Sequence, residues 1–290
     1  TSISAKNDIN AGTVGVSSTV NTTKDSKNYD KTATTAEVGT VISSGTVYMD
    51  AGNNVNARQV SIYADEGPIA IKAGNNVTLE AGQTTFEGSG AFADKAGKRK
   101  TSAVGEGRAT TDIGSTLSGQ GVSIQAGNAD TPAGQGNVNM TAAQIDAGDG
   151  ALIIKAKNDV NIEEGRDTLE TATHWETSKK GFLKKKSTVS ERAHSADIAI
   201  SSNLTGNQVL IGAGNDVNIT GSNVVSETQT WIDAKNDINI NAATNTESVT
   251  TYQAVKKSGL MGTGGFGFTI GSAKNTLGTT SSATTHTGSL

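Results

Sequence analysis

Six copies of one seven-residue phrase constrain this chain more tightly than any other feature. They read AKNDINA (Ala5–Ala11), AGNNVNA (Ala51–Ala57), AGNNVTL (Ala73–Leu79), AKNDVNI (Ala156–Ile162), AGNDVNI (Ala213–Ile219) and AKNDINI (Ala234–Ile240). In the second half of the phrase a Val or Ile alternates with Asn. That period of two marks a half-buried strand with the apolar residues inward. The first half, Ala-Gly-Asn or Ala-Lys-Asn, reads as a corner, because Gly and Asn tolerate positive φ and Asn and Asp bond their own backbone in turns. Each copy is therefore one corner followed by one short strand.

The closest spacings set the size of the unit. Asn53 and Asn75 lie 22 residues apart, and Asn215 and Asn236 lie 21 apart. About 20 residues suits one coil of a parallel β-solenoid, whose coils stack at about 4.8 Å. Stacking brings the corner residues Asn7, Asn53, Asn75, Asn128, Asn158, Asn215 and Asn236 above one another, where an amide ladder is expected. Val55, Val77, Val160, Val217 and Ile238 hold the same place after their corners and should all point inward. The wider gaps resolve into super-repeats at about 7–74, 75–157, 158–235 and 236–290, which form one array. Long polar detours interrupt them at 16–46, 84–121, 167–208 and from about Thr244, and each reads as an extruded hairpin-like arm. The second unit carries an extra loop, ADTPAGQG.

Composition agrees with a thin, axially repeated core. Of the 290 residues 34% are hydrophobic and 4% aromatic, and 35 glycines interrupt nearly every segment. That leaves no room for amphipathic helices of ordinary length, so the fold class is all-β. A net charge of −4 argues against nucleic acid as a partner. Without cysteine there is neither a disulfide framework nor a thiolate metal site. No apolar run approaches 18 residues, and the chain opens inside a repeat without a secretory leader. These features suggest a piece of a longer repetitive protein.

The arms turn on lysine-rich tips. The second has DKAGKRK, the third KKGFLKKK, and the fourth YQAVKKSGLMGTGGFGFTIGSAK. Candidate contact residues are Lys98, Arg99, Lys100, Lys179, Lys180, Phe182, Leu183, Lys184, Lys185, Lys186, Lys256, Lys257, Leu260, Met261, Phe266 and Phe268. Cations around exposed apolar residues suit an anionic partner such as lipid headgroups, lipopolysaccharide or an acidic protein. The plainer reading is a solvated turn whose charges guard an edge strand.

Enzymatic chemistry finds no foothold. His174 and His194 flank the third tip and are expected to face each other across the arm beside Trp175, short of a metal site. No Ser–His–Asp set stands out. The GTGGFG run at 262–267 lacks the Lys-Ser/Thr and the helix of a phosphate loop, and the corners are not calcium-binding nonapeptides. No catalytic residue, cofactor or metal is expected.

The corner phrase together with the excursion KKSGLMGTGGFGFTIGSAK resembles the haemagglutinin repeats of filamentous haemagglutinin-like, two-partner-secreted exoproteins. The likeness spans essentially the whole chain. It is greatest to the second repeat region of CdiA-type contact-dependent growth inhibition effectors. By resemblance, the fold would be a right-handed parallel β-helix in a secreted, cell-surface protein, held in the periplasm before delivery. Export would pass through an outer-membrane secretion transporter. The segment would help carry a C-terminal toxin across the target cell's outer membrane, engaging its lipid, lipopolysaccharide or an outer-membrane protein. In adhesin relatives the same repeats serve as a structural stalk.

Overall fold

The computed structural model describes residues 1–262 and 268–288, and every regular element among them is a β-strand. The repeated phrase forms what its pattern dictates. The second half of each copy is a strand of three or four residues: Ile9–Ala11, Val55–Arg58, Val77–Glu80, Val160–Glu163, Val217–Thr220 and Ile238–Asn241. With Val138–Thr141 these make a seven-stranded parallel sheet.

Two further parallel faces complete each coil. The first comprises Ser2–Ala5, Val47–Ala51, Ile69–Ala73, Val122–Ala126, Ala151–Ala156 and then 208–213 and 229–234. The third comprises Val41–Ser44, Ser61–Ala64, Thr116–Gly119, Gln144–Asp146 and then 203–206 and 223–226. Asn203–Ala213 and Asn223–Ala234 run unbroken from the third face of one coil to the first face of the next, joining the two ladders into one sheet. Among the described residues the chain thus winds through seven coils of stacked parallel strands.

The core lies inside this winding. Val55, Val77, Val138, Val160 and Val217 stack in register and are fully buried. Ile62, Leu117, Ile145 and Leu204 do the same on the third face, and Ile69, Ile71, Ile124, Leu152 and Ile154 on the first. Ile238 shares the register of Val217 but is 46% exposed. It belongs to the last rung and is covered from one side only, so the expectation of full burial fails there.

Arms leave at one corner only, between the second and third faces, and only on alternate coils. Coils 1, 3, 5 and 7 extrude hairpins: Val14–Asp25 with Asn28–Val38, Gly82–Ala96 with Arg99–Ile113, Gly165–Gly181 with Lys184–Ile200, and Ala243–Gly262 with Phe268–Thr287. The coils between them close the same corner tightly, each with a left-handed residue: Gln59 (φ 51°), Ala142 (φ 54°) and Gly221 (φ 54°). Glycine is required where arms 1 and 2 rejoin their coils. A Cβ at Gly39 or Gly114 would lie 1.7 or 1.8 Å from the carbonyl oxygen of Gln59 or Ala142.

The four arms pair with one another. Asn28–Val38 pairs with Gly82–Ala96, Arg99–Ile113 with Gly165–Gly181, and Lys184–Ile200 with Ala243–Gly262, which makes one eight-stranded antiparallel sheet. The tiling follows from arithmetic. Two coils rise about 9.6 Å and one hairpin is two strands of about 4.8 Å wide, so alternate-coil arms abut with no gap.

The arm sheet, its roots and its tips

The corner residues stack through their backbones. The amide of Asn53 donates to Asn7 O at 2.9 Å, that of Asn75 to Asn53 O at 2.7 Å, that of Asn215 to Asn158 O at 3.0 Å and that of Asn236 to Asn215 O at 3.0 Å. Their side chains do not bond each other. Asn53 Nδ2 donates to Asp8 Oδ1 at 2.9 Å, Asn158 to Asn137 at 2.8 Å, Asn215 to Asp159 at 2.7 Å and Asn236 to Asp216 at 2.7 Å. The residue after the corner is thus the acceptor, because its side chain also receives the backbone amide of the coil above, as Asp159 does from Asp216 N at 3.0 Å.

An asparagine-to-asparagine ladder exists two residues further on. Asn56 donates to Asn10, Asn161 to Asn139, Asn218 to Asn161 and Asn239 to Asn218, all at 2.8–2.9 Å. Asn128 sits in neither. The extra loop follows it, its amide donates to Thr131 Oγ1 at 2.7 Å, and Gly136 takes its rung by accepting from Asn158 N.

At the arm roots two carboxylates tie neighbouring hairpins together. Glu37, ending arm 1, receives Arg58 through Nε at 2.9 Å and Nη2 at 2.7 Å. It also accepts Thr13 Oγ1 at 2.9 Å and the amide of Gln83, the start of arm 2, at 2.7 Å. Chiefly because of Arg58, with the Gln83 amide assisting, its carboxyl is held down at about 2. Asp112, ending arm 2, accepts Gln83 Nε2 at 3.0 Å and the amide of Arg166, the start of arm 3, at 2.8 Å. Sequence reasoning did not single out Glu37, Arg58, Asp112 or Arg166. A lone acid or arginine carries no periodic signal, and the contacts that join Glu37 to Arg58 and Asp112 to Arg166 span 21 and 54 residues.

The tips lie at the opposite end of the sheet. Arm 2 turns at 97–98 and arm 3 at Phe182–Leu183, with Leu183 left-handed. Lys98, Arg99, Lys100, Lys179, Lys180, Lys184, Lys185, Lys186, Lys256 and Lys257 are all exposed, as are Phe182 at 87%, Leu183 at 60% and Leu260. A groove of about 550 Å³ at this end is lined by Lys179, Lys180, Gly181, Lys184, Lys185, Lys186, Lys257, Ser258, Leu260 and Ala273. Phe266 lies outside the described residues, as do the side chains of Met261 and Phe268. With Lys95 and Lys274, the tips of arms 2 to 4 hold twelve of the chain's 24 Lys and Arg residues, and no acid lies within 95–100, 179–186 or 256–274.

The two histidines do not meet. The turn at Phe182–Leu183 pairs His174 with Glu191 and His194 with Thr171, so they fall three residues out of register and on opposite sides of the sheet. Each instead has a glutamate at 3.0 Å, His174 Nδ1 on Glu191 and His194 Nε2 on Glu247. Trp175 packs near Phe92, with ring centroids 6.4 Å apart. Among the described residues no group of three or more His, Asp or Glu could hold a metal ion.

Comparison with known proteins gives this architecture a family. The model for the hemagglutinin repeat matches residues 96–183 and again 183–290, each match beginning at an arm tip. The chain is 40% identical over 134 residues to the tRNA nuclease CdiA of Escherichia coli (strain STEC_O31), a match covering 43% of this chain and 4% of that protein. It is 39% identical over 126 residues to the 16S rRNA endonuclease CdiA of Enterobacter cloacae subsp. cloacae, covering 41% and 4%. Over 260 residues it is 27% identical to the tRNA nuclease CdiA-2 of Burkholderia pseudomallei (strain 1026b), covering 89% and 8%. The chain therefore spans less than a tenth of these curated relatives. No solved structure matches it. The chain belongs to the hemagglutinin repeat family, and it is a haemagglutinin-repeat region of a CdiA-type protein.

Proposed function

We propose that this segment is a non-enzymatic part of a secreted, cell-surface exoprotein. In this reading it helps deliver a C-terminal toxin across the outer membrane of a target cell in contact-dependent growth inhibition. The coils serve as the rigid rail and the arm sheet as the part that engages the target envelope, whether lipid, lipopolysaccharide or an outer-membrane protein. Export through an outer-membrane secretion transporter, a periplasmic pause before delivery and a right-handed winding, the sense parallel crossovers adopt, belong to the same reading.

The observation that carries it is the segregation of charge. Half the cations of a net-negative chain gather on acid-free tips, beside exposed Phe182, Leu183 and Leu260. The second face of the coils, by contrast, presents a repeated ladder of Asn10, Asn56, Asn139, Asn161, Asn218 and Asn239. In a full-length effector, Lys179, Lys180, Lys184, Lys185 and Lys186→Gln with Leu260 and Phe266→Ser should leave surface display intact and abolish toxin delivery to target cells. Undiminished delivery would overturn the reading and leave the segment as a structural stalk.

A further inference from the structure

Within the envelope-contact reading above, on which this rests, the structure assigns a ligand chemistry to the tips. We propose that the arm sheet docks end-on against phosphate-bearing lipid headgroups, through one uninterrupted row of cations: Arg99, Lys179, Lys186 and Lys257.

The row follows from register. Arg99 is paired with Lys179, Lys179 with Lys186, and Lys186 with Lys257, across four adjacent strands. Residues directly opposite one another point to the same side of a sheet, so these four side chains share one side. At about 4.8 Å per strand the row spans about 14 Å. The other side is different. There Lys95 stands opposite Lys100 and Lys256 opposite Lys274, but Ser178 and Ser187 separate these two pairs, and the Lys180–Lys185 pair is followed by Ser258. Serines dilute that charge, and nothing dilutes the row.

Such a row opposes folding, since like charges set directly opposite repel. Among the described residues none of the four forms an ion pair. The next position outward on the same side is Gly181, Lys184 and Gly259 in turn, and the Lys184 side chain lies across Gly181, which sets a fifth cation in front of the row. Phosphate oxygens satisfy this arrangement: lysines supply point charges, and the guanidinium supplies a two-pronged donor. Beyond the row stand exposed Phe182, Leu183, Leu260 and Ile270. A soluble polyanion offers these nothing, whereas a lipid interface takes apolar side chains just past its headgroups. That is why a headgroup layer, rather than a free phosphate compound, is the occupant.

The test compares two variants of this chain that lose the same charge. One carries Arg99, Lys179, Lys186 and Lys257→Gln, and the other Lys100, Lys180, Lys185 and Lys256→Gln. Binding is measured to phosphatidylcholine vesicles with and without phosphatidylglycerol. The row variant should bind phosphatidylglycerol vesicles about a hundredfold more weakly, and the opposite-side variant only several-fold more weakly. The thermal midpoint of the row variant should stay level or rise as repulsion is relieved. Equal losses from the two variants would overturn the row, and so would a fall in its midpoint that accounts for the lost binding. If sodium tripolyphosphate binds as well as the vesicles do, and Leu183→Ser with Leu260→Ser changes nothing, the lipid assignment falls. Delivery that still needs the tips while vesicles go unbound would overturn this inference alone and leave the envelope-contact reading standing.

Discussion

The coils and the arms are made of strands of the same width and yet are held together by opposite means. In the coils, parallel strands wrap an interior of stacked Val, Ile, Leu and Ala, and every residue of the buried core cluster belongs to them. In the arms, antiparallel strands form a single layer, with no second layer over either side among the described residues. Their cohesion comes from backbone hydrogen bonds, cross-strand pairs and root contacts such as Glu37–Arg58. The difference teaches where each region tolerates change. A coil side chain is fixed by neighbours above, below and across, whereas an arm side chain is fixed by register alone.

The sharpest break of this contrast is a charge in the coil interior. Val217 is fully buried between Val160 and Ile238, so Val217→Asp should cost on the order of 5 kcal/mol. Hydrogen exchange should show coils 5 to 7 losing protection first. If protection vanishes equally over all seven coils, stability is not local to stacked neighbours.

The root comes next. The Glu37 carboxyl is depressed from 4.5 to about 2 in the folded chain. Its contribution is therefore complete above about pH 4.5 and is lost as pH falls toward 2, because the unfolded carboxylate protonates first. Between those limits the thermal midpoint of the wild type should fall more steeply than that of Glu37→Gln. Parallel curves would show that the root contact does not hold the arms.

Smaller still is the asparagine ladder. Asn218 both donates to Asn161 at 2.8 Å and accepts from Asn239 at 2.9 Å, so Asn218→Ala should cost about 1–2 kcal/mol in a denaturant melt. The smallest effect belongs to the tips, where Lys185→Ala should move the same midpoint by less than about 0.5 kcal/mol. Equal losses from these two changes would erase the division between coil and arm.

What could be read from the sequence follows the same division. The corner phrase repeats because every coil imposes one environment on it, so the strand after each corner and the inward places of Val55, Val77, Val160 and Val217 were legible. The detours announced themselves as hairpins through their lysine–glycine turns. Less visible was whatever depends on a third element. Ile238 obeys the phrase but lies on a rung covered from one side. Asn128 spells the corner, yet a loop opens behind it and Gly136 takes the rung. The ladder acceptors Asp8, Asn137, Asp159 and Asp216 look like ordinary turn residues until coils are stacked. The pairing of arm to arm left no local mark at all, because it arises from a match between coil rise and hairpin width.

That match has a consequence for how such an array can lengthen or shorten. Insertion of one coil, about 21 residues, would displace all later hairpins by half their own width. The solenoid would remain continuous, but the arm sheet would open a slot one strand wide, the counterpart of an edge dislocation in a crystal. Removing or adding two coils together with their arm restores the lattice without a fault. Lengthening an arm at its tip disturbs no neighbour's spacing. Growth in pairs of coils, with free variation in arm length, is what this geometry permits.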